Sequence, residues 1–357
     1  LSHSLGAQKR HVYLDFLRIL AVFLVIVNHT NSLVFKALTP ANTTWWLSIA
    51  WYYLSKIAVP LFVMVSGACL LPKRDTYRQA FGRFLRVLLV LILFSYLYYL
   101  VDVLVNGWSW QQAGDIPQFL LSIWRGRITD SFWYLYFYLG LMIMLPLLQR
   151  LASAMQKQDL RYLMAITFGI GALWPLLTHY LPALALPEYV QIPMLSVLLG
   201  LFFAGHYVHT HTGRISKALC LLVMLLALAA SVWLTYLEAG RVLAGGKYWF
   251  MDDRTQPSVF IIVSAIAAMT WAKSSFTARE PHSETSIRRW NTVGGCAFTI
   301  YLLQDMLIAQ SRYRFFVPMS SVINPFAAVL LWEASIFAVA FGIAWLLKKV
   351  PLLQKLI

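Results

Sequence analysis

The chain has 357 residues, 60% of them hydrophobic and only 12% charged, with a mean hydropathy of +0.67. Soluble domains carry about 25% charged residues, so this composition excludes an ordinary globular enzyme and points to a polytopic membrane protein. The net charge of +15 comes from 29 Lys and Arg against 14 Asp and Glu; these basic residues are spread between apolar runs instead of being gathered in one soluble domain, which argues against a nucleic-acid binder.

The first apolar run, 12–36, is VYLDFLRILAVFLVIVNHTNSLVFK. It lacks a small-residue cleavage site and many further runs follow it, so it is expected to be retained as a span. It nevertheless carries Asp15, Arg18 and His29. A charged side chain at mid-bilayer costs roughly 3 kcal/mol or more, so such groups are expected to face a protein-lined cavity. Eleven residues at about 100° each bring His29 within roughly 20° of Arg18, about 16 Å away along the helix. Asp15, three residues before Arg18, shares that side. A neutral imidazole in this position suits a general base that takes a proton from a hydroxyl. The structural alternative is a histidine that only packs helices together.

Nine more stretches are long enough to span: 47–71, 84–105, 132–151, 160–180, 191–210, 216–237, 257–273, 292–311 and 323–347. The second contains Pro60, Ser66 and Gly67, which allow a bend or a close backbone approach. The third opens with Arg83 and Arg86 at i,i+3. These are either positive anchors or, since guanidinium forks bind phosphates in bidentate fashion, an anion clamp shared with Arg18. The sixth ends in GHYVHTH, where His206, His209 and His211 have no Cys or carboxylate companion; solvated interfacial histidines are expected there and no metal site. Cys69, Cys220 and Cys296 lack CxxC spacing and read as packing residues. Gln304, Asp305 and Glu333 in the last two spans serve interhelical hydrogen bonds or line a cavity.

The connectors alternate in charge. One side holds Lys9, Arg10, Lys73, Arg74, Arg78, Arg83, Arg86, Arg150, Lys157, Arg161, Arg214, Lys217, Lys273, Arg279, Arg288, Arg289, Lys348, Lys349 and Lys355, nineteen in all. The other holds nine: Lys36, Lys56, Arg125, Arg127, Arg241, Lys247, Arg254, Arg312 and Arg314. The positive-inside rule then places both termini in the cytoplasm, which an even number of spans satisfies. Three outer loops stand out, at 106–131, 179–190 and 238–256. Trp108, Trp110, Trp124, Trp133, Trp249 and Trp271 lie mostly near span ends, either as an interfacial aromatic belt or as a stacking platform for sugar rings.

Several of these residues carry a resemblance. LDFLRILAVFLVIVNHT, with Arg18 and His29 separated by ten residues, resembles the first span of the acyltransferase-3 family of integral membrane acyltransferases. VPLFVMVSG, from Pro60 to Gly67, is similar to that family's PLFFxxSG signature, and Arg83-Phe84-Leu85-Arg86 to its RxxR motif. FWYLYFYLGLMIMLPLL and FTIYLLQ resemble its fourth and ninth spans. The similarity extends most closely to bacterial surface-polysaccharide O-acetyltransferases of the enterobacterial-common-antigen type. Where many members have YLLH, this chain has Tyr301-Leu302-Leu303-Gln304, so a role for that His does not carry over. The fused soluble SGNH domain of some members is not seen in this sequence, and the membrane part is expected to act alone or with a partner.

The expected fold is an all-α membrane protein of about ten transmembrane helices, with 1–357 forming a single polytopic domain. The resemblance implies an O-acyltransferase of the bacterial inner membrane. Acetyl-CoA, or another short acyl-CoA, would be the cytoplasmic donor, and the acceptor a hydroxyl of an extracytoplasmic or lipid-linked glycan. His29, Arg18 and Asp15 are the expected catalytic residues; Arg18, Arg83 and Arg86 the expected donor contacts; and Ser66, Trp133 and Tyr301 the expected acceptor contacts. No permanently bound cofactor, metal or nucleic acid is expected, and a homo-oligomer is one option. The residues alone also allow a transporter or flippase with Arg18 and His29 in its pathway.

Overall fold

The computed structural model describes residues 11–105, 107, 109–126, 128–185, 196–243, 258–278 and 283–356. Among them the regular structure is helical, without a strand. In chain order the α-helices are α1 Val12–Thr30, α2 Ser32–Phe35, α3 Thr43–Ser55, α4 Ala58–Leu70, α5 Tyr77–Val105, α6 Trp110–Gly114, α7 Ile116–Arg125, α8 Trp133–Ala154 and α9 Lys157–Phe168. There follow α10 Trp174–Tyr180, α11 Val197–His211, α12 Lys217–Leu243, α13 Val259–Thr277, α14 Glu284–Ser311, α15 Val317–Val322, α16 Pro325–Leu347 and α17 Pro351–Leu356.

Among the described residues nine helical segments are long and apolar enough to cross a membrane. The tenth expected span, 191–210, corresponds to α11, of which 15 residues are described; residues 191–195 lie outside the described set. So do Lys9, Arg10, Trp108, Arg127, Lys247, Trp249, Arg254 and Arg279, most of the 238–256 loop and the end of the 179–190 loop.

Local chemistry explains where the helices start, break and widen. Asn42, Asp115 and Asn324 each accept a backbone N–H from the first turn of the helix they precede, satisfying donors that the helix itself cannot. The second span is split at Lys56–Ile57. Pro60 causes this, because it offers no N–H to the Lys56 carbonyl four residues back and its ring crowds that carbonyl. Two π-turns, Gly169–Leu173 and Arg312–Phe316, immediately precede helices with proline at their second position, Pro175 and Pro318. In both cases the helix widens just where its next hydrogen bond is lost. The 106–131 connection is not a plain loop: it folds into α6 and α7, the second of which packs Phe119 against Tyr96 and Tyr99.

The chain divides into two compact units, residues 1–68 with 157–297 and residues 69–156 with 298–357. In the first, α12 packs along α13 and α11 along α9, while α3 packs on both α1 and α12. Small residues permit the closest approach, between α4 and α11. A side chain at Gly67 would overlap the Phe202 carbonyl, and one at Gly205 would overlap the Met64 carbonyl. In the second unit, α5 packs against α8 and α15 folds back on α16.

Candidate functional site

The polar groups of α1 belong to the first unit. Arg18 Nη1 donates to Asp15 Oδ1 at 2.7 Å; the Asp15 side chain is 2% exposed and that of Arg18 32%. The carboxylate is therefore inside the protein while the guanidinium reaches out from it. Gly294 of α14 makes room for this arrangement, since a Cβ there would stand 2.6 Å from Asp15 Cβ. The sequence left the role of Asp15 open, and the ion pair shows that it holds Arg18.

His29 is half-buried in the last turn of α1. The chain beyond it is anchored through Asn31. Asn31 Nδ2 donates to the Ser48 carbonyl, 2.5 Å away, and Ser48 Oγ donates to Asn31 Oδ1 at 3.0 Å. A helix end fixed this way gives the imidazole a defined position. Next to His29, Asn28 presents a buried Oδ1 with no hydrogen-bond partner among the described residues. Sequence reasoning missed Asn28, because a single Asn at a span end gives no periodic signal. A further buried polar group, also missed, is Glu238 of α12, which accepts from Tyr180 at 3.3 Å and lies 3.6 Å from His179 Nε2.

Arg83 and Arg86 belong to the second unit and sit within α5, which starts earlier than expected. Arg83 Nε and Nη2 grip both oxygens of Asp75 at 3.2 Å. Gln149 Nε2 also donates to Asp75 and to the Leu70 carbonyl, and the Asp75 N–H returns a bond to Gln149 Oε1. Burial by itself would raise the Asp75 carboxyl, but the bonds from Gln149 and Arg83 and the charges of Arg83 and Lys73 outweigh it and hold the group below its ordinary value. Arg86 Nε donates to the Leu356 carbonyl at 2.9 Å.

Ser66 is half-buried beside Gly67 in the first unit. Trp133 and Tyr301 lie in the second, both in ring contact with Tyr134. The Tyr301 hydroxyl is committed to the Ser131 carbonyl at 2.5 Å. Next to it Gln304 is fully buried and its Nε2 donates to Asp305 at 2.6 Å, while its Oε1 has no hydrogen-bond partner among the described residues. Asp305 also accepts from Thr129 and the Ser131 N–H. Trp110 and Trp124 are exposed.

The three histidines of α11 differ from the solvated set expected. His206 is buried, His209 bonds the Tyr13 hydroxyl through Nδ1 at 2.6 Å, and His211 stacks on Tyr207. No group of three or more His, Cys, Asp or Glu that could hold a metal occurs among the described residues.

Membrane-length helices, a buried carboxylate paired with a part-exposed guanidinium, and a half-buried histidine near the far end of the same span define a polytopic integral membrane protein with polar groups inside it. Such groups serve either chemistry or transport. The acyltransferase-3 family, described as an acyltransferase domain, matches residues 11–349, and the chain belongs to that family. Comparison with curated proteins and with solved structures gave no match.

Proposed function

We propose that this membrane acyltransferase moves an acetyl group, or a similarly small acyl group, from cytoplasmic acyl-CoA to a hydroxyl of an extracytoplasmic or lipid-linked glycan. In this reading it is a surface-polysaccharide O-acetyltransferase of the enterobacterial-common-antigen type, resident in the bacterial inner membrane with both termini cytoplasmic. On this reading residues 1–357 are a single polytopic acyltransferase domain.

The observation that carries the reading is the placement of the buried Asp15 carboxylate with its part-exposed Arg18 partner near one end of α1 and His29 near the other, along one helix. His29 takes the proton of the acceptor hydroxyl, and the oxygen attacks the thioester carbonyl. The C–S bond then breaks, and the CoA sulfur leaves with the proton that the imidazolium returns. A covalent acyl-His29 intermediate is a variant of the same path. Arg18, Arg83 and Arg86 hold the phosphates of the donor. Asp75 already occupies one edge of the Arg83 fork, so Arg86, which among the described residues is bonded through Nε alone, has more donors to offer. Ser66, Trp133 and Tyr301 contact the acceptor; Tyr301 does so through its ring, since its hydroxyl is engaged.

Mass spectrometry of envelope polysaccharides from cells with and without the protein tests this. The expected result is one added acyl group per modified residue, lowered by a factor of about 100 or more in His29→Ala at matched membrane levels. Full acylation by His29→Ala refutes the base, and movement of an unmodified glycan with no dependence on CoA assigns a flippase instead.

A further inference from the structure

The proposed chemistry leaves unused a cavity of about 410 Å³ in the first unit, lined from the start of α9, the end of α11 and α13. Its polar lining is Lys157, Arg161, Tyr207, His211, Thr212 and Thr270, with no carboxylate among the described residues. Met164, Val208, Ile215 and Ile266 form its apolar wall. The polar side chains brace one another. Arg161 Nε donates to the Tyr207 hydroxyl at 2.8 Å, the Tyr207 ring stacks on His211 at 5.6 Å and 13°, and Thr210 Oγ1 lies 2.6 Å from His211 Nδ1. An aimed guanidinium, an ammonium and an imidazole around a cavity whose described lining holds no acid suit a phosphate.

The surroundings choose between a soluble phosphate and a lipid. Two residues after Ile215 the chain enters α12, where Leu219, Leu222 and Leu226 are exposed at i, i+3 and i+7. Tyr162, next to Arg161, is exposed as well. Leucines repeated at this spacing on a membrane-length helix form a strip suited to an acyl chain. We propose that the cavity seats the phosphate headgroup of an anionic phospholipid of the cytoplasmic leaflet, with a chain of that lipid lying along α12. The leaflet rests on the proposed orientation; the site does not depend on acyl transfer.

Native mass spectrometry of the purified full chain, offered equal amounts of phosphatidylglycerol and phosphatidylcholine, tests the proposal independently of enzyme activity. Retained phosphatidylglycerol should exceed phosphatidylcholine, and Lys157→Ala/Arg161→Ala should lower it about tenfold. Arg288→Ala/Arg289→Ala, which removes the same charge elsewhere, should leave it unchanged. Tyr207→Phe, a milder change that releases Arg161, should lower it severalfold without altering thermal stability, and it decides the matter if the double variant does not fold. Equal retention of the two lipids, equal loss in both double variants, or an unaffected Tyr207→Phe overturns the proposal. So does displacement of the lipid by glycerol phosphate or acetyl-CoA through Arg161, which would give the cavity to a soluble phosphate.

Discussion

Gly67 and Gly205 provide the sharpest test of the architecture, because each is a position where one added carbon has nowhere to go. A Cβ on Gly67 would stand 2.7 Å from the Phe202 carbonyl carbon and 3.1 Å from its Cα, and nearer still to the oxygen. Carbon atoms pack at about 3.5–4.0 Å, so α4 and α11 must part by about 1 Å to admit an alanine. Overpacking of this kind costs about 1–3 kcal/mol, and here the obstacle is backbone, which cannot swing aside as a side chain can. The two glycines act on the same helix pair in reciprocal fashion. Once one alanine has separated the helices the second meets less resistance, so Gly67→Ala/Gly205→Ala should cost less than the sum of the single variants. Thermal unfolding of the purified protein in detergent measures this, with Gly140→Ala as a control at a site where a Cβ meets nothing within 4 Å among the described residues. A Gly67→Ala protein as stable as the control, or strictly additive costs, would show that α4 and α11 are not held in backbone contact.

Two other expectations concern the ion pairs. Removing Arg18 takes an ion-pair partner from the buried Asp15 carboxylate, a loss of about 3–5 kcal/mol for a fully buried pair and less here because Arg18 is one-third exposed; Asp15→Ala/Arg18→Ala should therefore be more stable than Arg18→Ala alone, and the reverse order in unfolding experiments would deny the coupling. The Asp75 carboxyl is held below its ordinary value in the fold, so its contribution to stability is present in full above the carboxylate range of the unfolded chain and fades as pH falls toward the folded value. Asp75→Asn should flatten the acid limb of the stability–pH curve relative to wild type, and superimposable curves would remove Asp75 from that role.

The membrane class, most of the spans and the nearness of Asp15 to Arg18 in α1 were legible in the residues, because each depends on local properties. Hydropathy over about twenty residues decides whether a helix can cross a bilayer, and 100° per residue decides which side chains share its face. That logic placed Asp15 beside Arg18 without a structure. It also marked Pro60 and Gly67 as departures from a plain span, though not what each does. Pro60 breaks the helix at Lys56 through a lost bond within its own segment. Gly67 serves a neighbour 135 positions away in the chain, the carbonyl of Phe202. Tertiary structure alone decided such matters. It assigned Asp75 to Arg83 and Gln149 to Asp75, so that one arm of a pair read as either positive anchors or an anion clamp is already held. It folded α6 and α7 out of a stretch read as a loop, and turned three histidines read as solvated into one buried, one bonded and one stacked. Partner choice depends on which helices pack side by side, and an apolar span has much the same hydropathy whichever neighbour it meets.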